Sequence, residues 1–356
     1  MNQSRLNRVI AGMKRENLPY ILVSDKESIF YLTGRWIEPG ERMIALMIAE
    51  DGRVCLVVNR LFAQTAEDGL PLVEYDDTED CVAALAARLP ETGAIGIDKR
   101  WPSQFLIRLM ETRPGLRPRV GSAPVDEARM CKDAEEIAAM RESSHLNDRV
   151  LAALMETVKE GDTEAGLGRR YTDIARSMGA AGCSFAPLIC FGAHCAEPHH
   201  ESDETPLKKG DSIIFDVGLD LNKAMSDMTR TAFFGEPTEE MKRVYETVRR
   251  ANMAGKAAVK PGVKLCEIDR AARRVIEEAG YGEYFIHRTG HNIGIGVHEP
   301  PDVSATSQAV AKPGMVFSIE PGIYLPGKFG VRIEDLVAVT EDGCEVLNEL
   351  DIPEMK

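Results

Sequence analysis

With 356 residues, 44% of them hydrophobic and 28% charged, the chain has a globular composition and is too long for one ordinary core, so two domains are expected. Its formal net charge of −14, with no basic block, gives no electrostatic footprint for nucleic acid or anionic lipid. No stretch stays apolar for the roughly 20 residues that a membrane helix needs. Neither nucleic acid nor a membrane is therefore expected as a partner.

The start, MNQSRLNRVIAGMKRENLPY, reads as an amphipathic helix with Leu6, Val9, Ile10 and Met13 on one face, interrupted by Arg8 and Lys14, and not as a signal peptide. From there to about residue 122, YILVS, MIALMIAE, RVCLVV, LPLVEY and AIGID are strand candidates, separated by helical stretches such as TEDCVAALAARL. That alternation predicts an α/β domain with a mixed sheet. No GxGxxG follows any of these strands, which argues against a dinucleotide site. TRPGLRPRVGSAPVDEA reads as a basic linker, placing the expected domains at residues 1–124 and 125–356. The second domain predicts helices near 133–159, 163–179, 238–259 and 264–280, with strands near 187–192 and 211–234 and to the end, an α+β pattern. The eight cysteines are scattered without a CxxC pair, as expected of reduced thiols in a cytoplasmic protein.

An internal echo marks the second domain. GDSIIFDVG at 210–218 and GMVFSIEPG at 314–322 share the form Gly, five residues, an acid, one residue, Gly. Each is followed by a second acid, Asp227 in SDMTRT and Glu334 in VRIEDL. Two strand pairs, each delivering two carboxylates, suggest halves related by a pseudo-twofold and facing one site.

Six of the seven histidines, His194, His199, His200, His287, His291 and His298, fall within the window that also holds Asp216 and Asp227. His145, midway along the helix predicted near 133–159, is read as an ordinary hydrogen-bonded histidine; His291 and His298, in a glycine-rich loop, are read as functional. Two aspartates, two glutamates and an imidazole make a mostly oxygen ligand set that suits Mn²⁺, Co²⁺ or Zn²⁺ in pairs. The structural alternative is that the acids pair with Arg230 and Arg332 on exposed strand ends. Four acids inside apolar strands would be costly unless a cation neutralises them.

PHH, IIFDVG, SDMTRT, HRTGHNIG, VHEPP, FSIEPGIY and GVRIEDLVAVTEDG, in that order, with YLTG at 31–34, resemble the pita-bread metallopeptidases, and within them the prolidase (Xaa-Pro dipeptidase) and aminopeptidase P branch. The resemblance implies a creatinase/prolidase-like N-terminal domain, a pita-bread (creatinase/aminopeptidase-like) catalytic domain and a homodimer. It makes Asp216, Asp227, His291, Glu320 and Glu334 the ligands of two divalent ions, Mn or Co first and Zn as the alternative, with Asp227 and Glu334 bridging. His199 and His298 match the family's two further site histidines, and with Arg332 they are the expected substrate-binding residues. His199, His298 and Glu320 are the expected catalytic residues: a metal-bound hydroxide attacks the carbonyl, His298 supports the oxyanion, and Glu320 carries a proton to the leaving nitrogen. The implied substrate is a small peptide with proline second.

Three departures bear on this reading. Asn292 replaces a glycine after the ligand histidine, NKAMSD replaces the common Gly-Tyr before Ser-Asp, and Asp302 stands where dipeptide-selective prolidases often carry an arginine. An acid there favours longer Xaa-Pro-Xaa substrates unless Arg35 or Arg42 of GRWIEPGER supplies the charge from a partner subunit. The alternatives are aminopeptidase P, a catalytically silent binding protein, and a non-peptidase hydrolase or lyase on the same fold.

Overall fold

The amphipathic start forms helix α1, Gln3–Glu16, capped by the Asn2 side chain and ended by Asn17 in the left-handed conformation. Leu6, Val9 and Met13 are buried along its inner stripe. This helix opens the first of two units, Met1–Arg129 and Met130–Lys356, in a computed structural model that describes residues 1–66 and 69–351.

The first unit continues with β1 (Tyr20–Val23), α2 (Lys26–Thr33), β2 (Ala45–Ala49), β3 (Val54–Asn59), β4 (Leu72–Tyr75), α3 (Cys81–Ala86), β5 (Thr92–Ile97), α4 (Ser103–Thr112), β6 (Gly115–Val120) and α5 (Ala123–Met130). Its sheet has the order β4-β3-β2-β1-β5-β6. It is mixed: β1, β2 and β3 pair antiparallel, whereas β1–β5, β5–β6 and β3–β4 are parallel.

The stretch read as a basic linker is instead β6 and α5. Strand β6 is the sheet edge, the one place where Pro118 can sit in a ladder, because an edge strand has a row of backbone groups with no partner to satisfy. Alternating arginines on an edge strand look like linker composition. Helix α5 packs on α1 at Gly12, where a Cβ would meet Pro124 at 3.0 Å, and the Tyr31 hydroxyl donates to the Ala128 carbonyl at 2.6 Å. Those contacts carry the first unit through Arg129, past residue 124.

The second unit contains α6 (Ala134–Met155), α7 (Glu164–Ser177), β7 (Gly182–Cys183), β8 (Leu188–Phe191), β9 (Ser212–Val217), β10 (Leu219–Leu221), β11 (Ala224–Met225), β12 (Met228–Phe233), α8 (Glu239–Ala258) and α9 (Leu265–Glu278). It ends with β13 (Gly290–Asn292), β14 (Glu299–Val303), β15 (Val316–Ile319), β16 (Gly322–Leu325), β17 (Phe329–Arg332), β18 (Asp335–Val339) and β19 (Cys344–Val346).

The sequence echo is repeated in three dimensions. Strand β9 pairs antiparallel with β12, and β15 with β18. Inside each pair lies a smaller hairpin, β10–β11 or β16–β17. The first of these turns through Asn222 and Lys223, both at positive φ, the backbone that a two-residue hairpin needs, so NKAMSD alters a turn and leaves Asp227 in place. Each half has a helix pair, and each pair contributes one buried asparagine to the strand end that bears an acid. Asn147 of α6 donates to the Val217 carbonyl and Asn252 of α8 to the Ile319 carbonyl, both at 2.9 Å. Buried apolar residues of α6, α7, β9 and β12 pack together in one half, and those of α8, β16 and β17 in the other.

Candidate metal centre

The acids emerge where the paired strands give out. Asp216 lies near the end of β9, opposite Thr229 of β12, and Asp227 immediately precedes β12. Glu320 immediately follows β15, and Glu334 immediately precedes β18. These strands are buried along nearly their whole length, so the four carboxylates fall at their ends, and the Glu334 N–H donates to the Thr229 carbonyl at 3.0 Å to join the halves.

His291 enters from β13, which approaches β15 so closely that a Cβ on Gly290 would lie 1.9 Å from the Ser318 carbonyl oxygen; only glycine fits there. The His291 ring is 3.6 Å from Asp227 Oδ2 and 3.5 Å from Glu320 Oε1, both measured from Nε2. Its Nδ1 faces the Asn292 carbonyl at 3.2 Å, which assigns the ring proton there and leaves the Nε2 lone pair toward the acids. Ligand atoms of Asp227, His291 and Glu334 all lie within 4.8 Å of one another. Asn292 itself donates to the Pro301 carbonyl at 2.7 Å, tying β13 to β14 beside a bulge.

Two hydroxyls orient the glutamates. Thr229 Oγ1 donates to Glu334 Oε2 at 2.7 Å, and Ser318 Oγ donates to Glu320 Oε1 at 3.1 Å. Each glutamate thereby has one oxygen fixed. What remains is informative: Asp227 Oδ1 and Glu334 Oε1 are buried with no hydrogen-bond partner. Buried carboxylate oxygens are normally satisfied, so two orphaned acceptors around one imidazole lone pair fit divalent cations. These are also the two acids expected to bridge.

The electrostatics agree with that fit. Burial, and then repulsion from neighbouring acids, raises Asp227 and Glu334 well above the ordinary carboxylate range. Burial also pushes Glu320 up to about 7, with Asp216 adding to the shift, and lowers His291 to about 3, with His298 adding to that one. A raised carboxylate stabilises the fold while it stays neutral. For Glu320 that contribution is complete below its ordinary value of 4.5 and is lost as pH rises through about 7. The metal-free protein should therefore lose roughly 3 kcal/mol from this group alone between mildly acidic and mildly basic pH. Thermal melts of chelator-treated protein at about pH 5 and about pH 8 check it. His291, lowered by burial, shifts stability the other way over part of this range, so the Glu320 contribution is read as the difference from Glu320→Gln: the wild-type Tm should fall relative to that variant toward the higher pH, and a relative rise would contradict the arrangement.

A cavity of about 500 Å³ opens on these groups and is also lined by His199, His287, Arg288, His298 and Arg332. His298 stands edge-on to His291, with ring centroids 4.1 Å apart, and burial lowers its pKa. His199 is exposed at the cavity wall. His287 bonds to the Tyr324 hydroxyl at 2.7 Å. Outside the cavity, His145 lies 3.3 Å from Glu349.

The arginines behave differently from the exposed strand-end pairs considered above. Arg230 is buried and held by Asp335 and three carbonyls, away from the four acids. Arg332 is also buried, and it does pair with Asp216. Its Nε donates to Thr229 and its Nη1 to Tyr324. Three of its side-chain nitrogens are thus engaged by the protein, leaving Arg332 well placed to orient Asp216 and Thr229. One cation, paired with Asp216, leaves the other three acids without a basic partner in the cluster.

Asp302 is not isolated: Arg288 Nη1 donates to its Oδ1 at 2.9 Å. Arg288, three residues before His291, went unassigned in the sequence because its partner across the β13–β14 pair was not visible there. Arg42 is engaged by Asp77 at 2.8 and 2.9 Å, and Arg35 by Gln64 and the Thr65 carbonyl, all within the first unit. Among the described residues, no helix is long and apolar enough to cross a membrane.

Residues 138–341 match Metallopeptidase family M24, and residues 5–131 match the Creatinase/Prolidase N-terminal domain. The chain belongs to the M24 metallopeptidases: it is an enzyme with a creatinase-type N-terminal domain and a pita-bread catalytic domain, and membership implies divalent metal ions and a peptide substrate. Within the family it is of the prolidase/dipeptidase type. It is 36% identical to the probable dipeptidase PepE of Mycobacterium tuberculosis, over 97% of this chain and 93% of that one. The structure of a recombinant prolidase from Thermococcus sibiricus superposes with a TM-score of 0.94 at 34% identity, covering 99% of this chain and 98% of the other. An X-Pro aminopeptidase from Thermotoga maritima gives 0.81 at 27% identity, covering 96% and 98%.

Proposed function

We propose that this enzyme hydrolyses the Xaa-Pro bond of dipeptides and short peptides, using two divalent ions, Mn²⁺ or Co²⁺ with Zn²⁺ as the alternative, in a cytoplasmic setting. The observation that carries the metal reading is the pair of orphaned buried oxygens, Asp227 Oδ1 and Glu334 Oε1, around His291 Nε2. Asp216, Asp227, His291, Glu320 and Glu334 would hold the ions. When bound, such a pair supplies Lewis-acid polarisation of the scissile carbonyl and an activated water.

The chain's own residues do the rest. Glu320, raised by burial toward neutrality, takes a proton at its carboxylate and returns it to the proline nitrogen as the bond breaks. His298, kept neutral by burial, donates a ring N–H to the negative charge developing on the carbonyl oxygen. His199, exposed in the same cavity, contacts the substrate. Arg332 and Thr229 hold Asp216 and Glu334 in place. A scissile tertiary amide has no N–H to offer, and none of these groups needs one.

Substrate length turns on Arg288. Read alone, Asp302 repels a dipeptide's carboxylate; paired with Arg288, it is a neutralised acid that braces a guanidinium at the cavity wall. Asp302 accepts from Nη1, so the rest of the fork can meet a carboxylate directly after proline. Dipeptides are then preferred, and no arginine from a partner subunit is required. Arg288→Ala should raise KM for Xaa-Pro about 10- to 100-fold, the worth of a charge-assisted hydrogen bond, with a smaller effect on Xaa-Pro-Xaa. Steady-state kinetics on matched dipeptide and tripeptide substrates check this. Equal effects on both would remove Arg288 from that role, and failure of both substrates with the metal-loaded wild type would refute the Xaa-Pro reading itself.

A further inference from the structure

A second cluster of metal-ligating side chains shares no residue with the paired-ion centre. Glu164 is the first residue of α7 and is fully buried, yet among the described residues no arginine or lysine pairs with it. Its Oε1 lies 2.9 Å from His194 Nδ1, and its Oε2 lies 3.0 Å from His200 Nε2. The two rings lie face to face, centroids 3.9 Å apart and tilted by 33°. The Asp203 carboxyl joins them within hydrogen-bonding reach of Glu164. Ligand atoms of Glu164, His194, His200 and Asp203 all lie within 4.8 Å of one another.

Hydrogen bonding accounts for part of this. Two neutral imidazoles, with the Phe191 and Asp203 N–H groups at 2.8 and 3.1 Å, would satisfy Glu164 alone. They do not use the Asp203 carboxyl, which accepts from the Thr205 N–H at 2.7 Å and yet lies with the two rings and Glu164 as a fourth oxygen donor in the same cluster. Four donors about 2.0 to 2.2 Å from a tetrahedral ion stand roughly 3.3 Å apart, so the observed spacings need only a small expansion to admit one. Glu164 is buried, whereas His194 is 31% exposed, which gives an ion a route in from solvent.

We propose that Glu164, His194, His200 and Asp203 form a third metal site, for one borderline divalent ion such as Zn²⁺. Two imidazoles and two carboxylates favour zinc over manganese, in contrast to the carboxylate-rich paired centre. The ion would bind His194 and His200 on either side of His199, and so staple the loop that carries His199 to the start of α7.

The test is the zinc content of purified protein after metal removal, equilibration with Zn²⁺ and dialysis. A His291→Ala/Glu334→Gln protein, crippled at the paired centre, should keep about one Zn²⁺ per chain, as a four-ligand site does. Adding His194→Asn and His200→Asn should abolish that ion with the circular dichroism spectrum unchanged. Co²⁺ in place of zinc should give the double variant visible ligand-field absorption that the quadruple variant lacks. A folded double variant without zinc, or a quadruple variant with as much zinc as the double, would overturn the site and leave a hydrogen-bonded clamp. Failure of the paired centre reads out separately, as equal metal content in the wild type and the double variant.

Discussion

Asp227→Asn is expected to abolish turnover, by about 10³-fold or more, as when one member of a group acting as a unit is removed. The side chain is 6% exposed and sits 3.6 Å from His291 Nε2, with Oδ1 unsatisfied by any protein donor. An amide in its place keeps the volume but removes the charge and turns one ligand oxygen into a donor, which opposes a cation. Elemental analysis should therefore show metal content falling together with activity. The fold should survive, because burial disfavours a charge on Asp227 in the absence of metal, and the amide keeps the side chain's shape without that charge. A variant that kept its metal and its activity would end the proposed bridging role, and so would a wild type fully active after chelation.

His298→Ala is expected to leave metal content unchanged and KM close to that of the wild type, while kcat falls by about 10² or more, the scale of removing one oxyanion donor. The ring packs edge-on against His291, so it is beside the expected ligands, and it faces the cavity. Burial lowers its pKa, so the imidazole is the neutral donor at neutral pH. If kcat falls because the cavity merely loosened, His298→Gln, which restores a donor but not a ring, should recover nothing; a partial recovery supports the donor role. Loss of metal in His298→Ala would instead make His298 a ligand.

The four candidate acids stand out in the sequence because the chain repeats itself, and the family resemblance made them, with His291, the expected ligand set. An acid placed after an apolar strand and followed by Gly is conspicuous in one copy, and the second copy at 314–322 points to the same geometry. Strand positions followed from apolar runs of β-branched residues, and helices from periodicity and caps such as the Asp133–Glu136 capping box of α6. Strand β6 escaped because an edge strand buries little and so carries no apolar run: only Leu116 is buried, and Pro118 between two arginines reads as linker composition.

Other features depended on which buried residues meet, and periodicity reports burial without naming neighbours. Thr229 and Glu334 are 105 residues apart, and only the packing of one strand pair against the other brings their side chains to 2.7 Å. The same holds for Arg332, whose buried position and contacts with Asp216, Thr229 and Tyr324 come from the β16–β17 hairpin lying beside β9 and β12. Arg288 and Asp302 read as two unrelated charges until the antiparallel pairing of β13 with β14 sets His291 opposite Asp302 and puts the arginine within reach. Glu164 gave no signal at all, since one acid at a helix start is ordinary; its burial against two histidines 30 and 36 residues away is decided by how the loop after β8 folds back onto α7. The sequence by itself determined the chemistry of the ligand set and the order of the strands that carry it. Long-range strand register and loop return, which depend on the packing of the whole unit, decided which charges are compensated and which oxygens are left for a cation.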